Sequence, residues 1–122
     1  MKRILAAILA IIHGVNGLDM LFDGSGWWAR IPGVGDTGPF NPHFVQDVGA
    51  AFLAAALGLA ARAWRPAWWP AAMAGAAFLA IHAAIHLEMI AMGMNRHAAI
   101  DLVIVVLPAA LSVYAASPTR PG

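Results

Sequence analysis

Apolar residues along this chain fall into four long blocks, separated by three intervals rich in turn formers. The blocks run from about Ile4 to Phe22, Pro42 to Ala61, Trp68 to Met92 and His97 to Ala116. Each is close to the roughly 20 residues needed to cross a 30 Å hydrocarbon layer. Backbone groups in such a layer must be satisfied within their own segment, so the blocks are expected to be helices. Asn41-Pro42 is a good helix start, with a side-chain acceptor at the cap and proline in the first turn. Pro108 falls inside the fourth block and should kink it, freeing the carbonyl of Ile104. The pattern predicts one domain over residues 1–122, an all-α integral membrane up-down four-helix bundle.

Composition strengthens this picture. Of 122 residues, 61% are apolar and 11% charged, where a soluble domain would carry about 25% charged residues. The net charge of +1 offers no basic field for nucleic acid. Cysteine is absent, which removes disulfides, thiolate metal sites and thiol redox chemistry together. Lys2, Arg3, Arg62, Arg65 and Arg120 fall on one side of the blocks, Arg30 and Arg96 on the other. That asymmetry predicts both termini in the cytoplasm and the 23–41 and 94–96 connections outside. Trp64, Trp68 and Trp69 would mark one interface and Trp27 and Trp28 the other.

Two local patterns have rival readings. Lys2-Arg3 followed by the apolar run Ile4–Ile12 has the layout of a signal peptide. The apolar pattern continues through Leu18, Met20, Leu21 and Phe22, and no A-x-A site appears, so a retained span is expected. Gly33-Val34-Gly35-Asp36-Thr37-Gly38 matches G-x-G-x-x-G in form. No strand is expected before it and Pro39 follows it, so it reads as a turn and not as a dinucleotide loop. An interval as long as 23–41 often has a function of its own, here as a lid on the bundle.

The polar residues inside the blocks carry the chemical interest, because an ionisable group in hydrocarbon is costly and normally faces a protein interior. Counted at 1.5 Å per residue, Asp19, Asp47 and His86 lie roughly 9 Å outward from the midplane, and Asp101 about 7 Å. His82 and Asn16 lie about 3–5 Å outward and His13 near the centre, while His43 and His97 mark the outer interface. His43 and Asp47, His82 and His86, and His97 and Asp101 are each one turn apart on a helical face. One polar layer towards the loop end is expected.

Several chemistries suit such a layer. Imidazole and carboxylate together bind zinc, iron or copper, and facing helices of a bundle are a familiar place for them. The expected metal ligands are His82, His86, Asp47 and Asp101, with Asp19, His43, His97, Asn16 and His13 in support. Met89, Met92 and Met94 would favour copper, although methionine at helical spacing is usually packing. Haem b held by His13 and His82 is an alternative cofactor. A carboxylate–imidazole relay for protons or a quinone needs no metal. Buried His–Asp pairs also simply join helices, at roughly 0.6 kcal/mol per contact. The expected partners are the lipid bilayer and either a second copy or a larger membrane complex that the chain serves as an accessory subunit. No serine has a basic neighbour in sequence, so no hydrolytic nucleophile stands out.

The runs Trp27-Trp28-Ala29-Arg30-Ile31-Pro32-Gly33-Val34 and Thr37-Gly38-Pro39-Phe40-Asn41-Pro42-His43-Phe44-Val45-Gln46-Asp47-Val48-Gly49 resemble a signature of small, uncharacterised four-helix bacterial inner-membrane proteins. The overall layout is broadly similar to the DoxX-like group, some of whose members are linked to quinone or thiol redox chemistry. The resemblance implies a four-helix fold in a bacterial inner membrane. It transfers no catalytic residue, and without cysteine a thiol role has no counterpart here.

Overall fold

The computed structural model describes residues 1–119, and Arg120 of the charge count lies outside the described residues. Four helices are long and apolar enough to cross a membrane, as in a multi-pass membrane protein. They are α1 (Lys2–Phe22), α3 (Pro42–Trp64), α4 (Trp69–Ala91) and α5 (Ala98–Ala116). A seven-residue helix, α2 (Gly24–Arg30), and a 3-10 turn at Val34–Thr37 occupy the long interval. No strand occurs among the described residues. The G-x-G-x-x-G match is therefore a turn, with Gly33 in the left-handed region at φ 86°. The four long helices alternate in direction and close into a ring, α1 beside α3, α3 beside α4, α4 beside α5 and α5 beside α1.

Each helix start and stop has a local cause. Asn41 caps α3 by accepting from the Phe44 N–H at 3.1 Å, with Pro42 in the first turn. Pro66 and Pro70 serve the same turn where α3 hands over to α4. The kink expected at Pro108 takes the form of a π-helical turn over Leu102–Val106, where the Leu107 N–H bonds to Leu102 O, five residues back. Proline supplies no N–H and crowds the carbonyl four residues earlier, so the preceding ladder widens.

Glycine brings the helices together. A Cβ on Gly17 would stand 2.7 Å from Gly49 O, and one on Gly58 would stand 2.6 Å from Ala71 O. A Cβ on Gly75 would lie 2.6 Å from Ala55 Cα. Backbones that approach this closely gain dispersion contacts and need no hydrophobic drive, the regime that holds between helices in lipid. Leu9, Leu59 and Leu79 fill the half of the interior nearer the chain ends, set among alanines. Outward faces carry exposed Ile4, Ile11, Leu57, Ile81 and Val103, an apolar exterior that suits a lipid solvent.

At the end that holds Lys2 and Ser117, two cations cap α5. The Arg62 side chain is fully buried and donates to Pro66 O at 3.2 Å and Ser117 O at 3.3 Å. Lys2 Nζ donates to Ser117 Oγ at 2.6 Å. The carbonyl-rich end of a helix favours positive charge, so these residues have a structural task beyond marking one side of a membrane.

Candidate functional site

The polar residues do not form one layer. They separate into an outer ring at the loop end, a part-buried chain at the α4–α5 seam and an inner pair.

The outer ring is built on α2. Asp23 ends α1 and caps α2 by accepting from the Gly26 N–H at 3.3 Å. Arg30, one turn further along, reaches back to Asp23 Oδ2 at 3.0 Å and holds both oxygens of Asp19, at 2.7 and 2.8 Å. A two-oxygen grip of this kind fixes geometry as well as charge. Trp27 Nε1 donates to Asn16 Oδ1 at 2.9 Å. Asp19 and Asn16, expected to support the histidines, instead anchor the loop to α1. The Arg30 guanidinium holds the Asp23 carboxyl below its ordinary 3.8, and Asp19 first, then Asp23, raise Arg30. A depressed carboxyl contributes fully above its unfolded value and loses that contribution as pH falls through the folded one. Amide exchange across Gly24–Arg30 should therefore stay protected from pH 8 down to about 4 and loosen only below it, by the ordinary carboxylate range. Loosening near pH 6 would assign the anchor to a histidine instead.

His43 and Asp47 pair with each other at 3.5 Å on the outside of α3, with side chains 85% and 67% exposed. This corrects the expected site: Asp47 does not join His82, His86 and Asp101. The physical reason is angular. Val45 and Gly49 take the inward face of α3, and the 43/47 stripe lies off it. His97 meets Asp36 of the 3-10 turn at 3.6 Å and lies against Gly33, where a Cβ would stand 3.1 Å from His97 Cδ2.

The chain at the α4–α5 seam, part-buried except for the buried Asp101, is the chemical centre. His86 Nδ1 and Asp101 Oδ2 are 2.5 Å apart, with side chains 25% and 10% exposed. Asn95 Nδ2 donates to the same oxygen at 2.6 Å, and Asn95 Oδ1 accepts from the His97 backbone N–H at 2.7 Å. The π-helical turn begins at the residue after Asp101, and such bulges recur at functional sites. One turn deeper, His82 meets His86 edge to face, ring centres 4.7 Å apart. Phe78 stacks on His82 at 5.9 Å and Phe52 meets it edge-on at 5.7 Å.

Phe52 also stacks on His13 at 5.8 Å, so it stands between the two halves of the polar interior. His13 is buried and bonds to Ser112 Oγ at 3.0 Å, and Ser112 donates to Pro108 O at 2.7 Å. Asn95, Ser112, Phe52 and Phe78 carry no signal in a depth count of ionisable residues. Asn95 was legible only as one of the polar residues of the last connection.

These contacts test the two cofactors expected. Haem b between His13 and His82 does not fit, because Phe52 lies against both imidazoles and His13 Nε2 is engaged by Ser112. Among the described residues no three His, Asp or Glu side chains converge as a metal-holding group. His82 and His86 remain as two nitrogen ligands, while the Asp101 oxygen facing His86 already accepts from Asn95 and lies against the imidazole. No protein-family profile, known curated protein or solved structure matches the chain.

Proposed function

We propose that this chain is a multi-pass protein of a bacterial inner membrane whose His86–Asp101 pair exchanges protons with the loop side only. The observation that carries this reading is the 2.5 Å contact between His86 Nδ1 and Asp101 Oδ2, with Asn95 on the same oxygen. A carboxylate that holds an imidazole by one nitrogen orients the other as a base. His82 extends the chain one turn inward, and the Phe52 ring then separates it from His13 and Ser112. Beyond them leucine and alanine line the core as far as Arg62, a buried cation held by Pro66 O and Ser117 O, and among the described residues no side-chain hydrogen bond carries the path from Ser112 to it. A half-path suits a proton-storing or redox-linked subunit, not a channel. Lys2, Arg3, Arg62 and Arg65 favour cytoplasmic chain ends and a periplasmic loop.

A specific feature keeps a second reading open. Metal-bound imidazoles usually carry a carboxylate on their other nitrogen, the place Asp101 holds behind His86. His82 and His86 would be the ligands, and a zinc or copper ion would supply Lewis-acid or redox chemistry there.

The absence of cysteine makes the test direct, because an introduced Thr37→Cys is the sole thiol. Proteoliposomes sorted by whether an impermeant maleimide labels that thiol give a known orientation. Changing pH on the loop side alone should titrate His86, followed by its ring nitrogen resonances, with no proton leak through the vesicle. Titration from the opposite side, or a steady proton flux, would overturn the one-sided reading. A stoichiometric metal lost in His82→Ala would select the second.

A further inference from the structure

We infer that the groove between α1 and α3, at the end that holds Lys2, binds one phospholipid of net negative headgroup. Its phosphate meets Arg3 and an acyl chain lies on the alanines beneath. The inference uses the multi-pass membrane reading and is independent of the His86–Asp101 relay.

The groove opens at Arg3, in a recess of about 440 Å³ lined by Met1, Arg3, Ile4, Ala7 and Ala63. A second recess, of about 370 Å³, shares Ala7 and Ala63 and continues over Ala10, Ile11, Ala56 and Ala60. From Arg3 to Ile11 the run is about 12 Å at 1.5 Å per residue, most of the roughly 15 Å depth of one leaflet. Alanine keeps the floor low, and exposed Ile4 and Ile11 line the α1 side. A hydrocarbon chain laid there gains dispersion contacts on both helices.

Arg3 is already oriented for the headgroup. Its Nε donates to Ala63 O at 2.9 Å and its Nη2 to Trp64 O at 3.0 Å, both carbonyls of the last turn of α3. One edge of the guanidinium is held by the helix end, and Nη1 meets no acceptor among the described residues. The remaining edge is a fork of N–H groups that matches two phosphate oxygens. Trp64 and Trp68 are exposed at this end, and Arg65 lies over the Trp64 ring at 4.6 Å. Such tryptophans mark the headgroup level, so the guanidinium stands where a lipid phosphate lies.

Charge decides the occupant. Lys2, Arg3, Arg62 and Arg65 gather at this end, while Asp19, Asp23, Asp36, Asp47, Glu88 and Asp101, all the acidic residues of the chain, belong to the loop end. A second copy inserted in the same sense would bring the same cations to the same level. A zwitterionic lipid brings its own ammonium. A net anionic headgroup alone leaves no positive charge to be repelled.

The experiment is native mass spectrometry of the full-length protein, released from maltoside micelles holding equal amounts of phosphatidylglycerol and phosphatidylethanolamine with identical acyl chains. One phosphatidylglycerol should stay bound, favoured by about fivefold. Arg3→Gln should bring the two lipids to near parity, and Arg96→Gln, at the loop end, should leave the preference intact. Because Arg3 also caps α3, Ala60→Leu is the second variant. Ala60 is exposed, so a larger side chain fills the groove, spares the core and leaves every cation in place. It too should lose the bound phosphatidylglycerol. Equal retention of the two lipids by wild type would overturn the inference without any variant. Undiminished retention by Ala60→Leu would do so as well, since attraction by the cationic end would then suffice. A protein that stays in solution without detergent would sink the membrane reading itself, whereas equal binding by one that needs detergent sinks only the lipid site.

Discussion

Asp101→Ala should destabilise the bundle by about 1–3 kcal/mol, because the part-buried Asn95 amide and His86 imidazole lose the carboxylate that joins them. Asp101 joins α5 to His86 of α4 and to the turn between them. Water can relieve only part of the loss, since the His86 side chain left behind is 25% exposed. The double variant His86→Leu, Asp101→Leu is the informative comparison. Replacing both partners of a polar pair with apolar side chains is often close to neutral, so the double variant strands only the Asn95 amide, whereas Asp101→Ala strands His86 as well. Unfolding in detergent micelles, followed by far-ultraviolet circular dichroism, should rank Asp101→Ala below both wild type and the double variant. Equal losses in the single and double variants would mean that the site contributes shape alone. Recovery in the double variant would show that polar satisfaction, and not volume, sets the cost.

Gly58→Val should cost about 2–3 kcal/mol through overpacking at the α3–α4 seam. Its Cβ would meet Ala71 O at 2.6 Å and Ala72 Cα at 3.2 Å, both backbone atoms of the neighbouring helix. No side chain can rotate away, so the helices must part, and dispersion between them falls steeply with separation. Gly14→Ala is the control, because its Cβ would meet only Ala56 Cβ at an ordinary 3.7 Å. There the helix propensity of alanine should make the change neutral or stabilising by up to about 1 kcal/mol. If the same unfolding measurement ranks the two variants alike, glycine at these seams is a matter of helix propensity and not of close approach.

The helices themselves were legible because their causes are local. A run of about twenty apolar residues needs no distant partner to be recognised, and Asn41-Pro42 and Pro108 act on their own turns. The observed ends of the four helices differ from the expected ones by at most three residues. The π-helical turn was foreseen only as a kink, since proline dictates that the ladder opens but not how neighbouring carbonyls are shared. The candidate site was legible in part. His82, His86 and Asp101 do meet or adjoin, as a one-turn spacing on α4 and a facing residue on α5 allow. His43 and Asp47 have the same one-turn spacing and point away from the interior.

That pair marks the boundary between the two kinds of knowledge. Spacing states which residues share a stripe, and composition states that the stripe sits in an apolar block. Neither states how far a helix is rotated about its axis, because rotation is chosen by the fit of one surface against another. On α3 the fit is set by Gly49 against Met20 and Gly17, and it sends Asp47 outward. On α4 and α5 it brings His86 to Asp101 and leaves room for Asn95 from the turn. The sequence by itself determined four apolar helices and a concentration of acids and imidazoles towards the loop end. Only the tertiary structure decided which of those groups touch, because a hydrogen bond of 2.5 Å depends on helix rotations that no single segment carries.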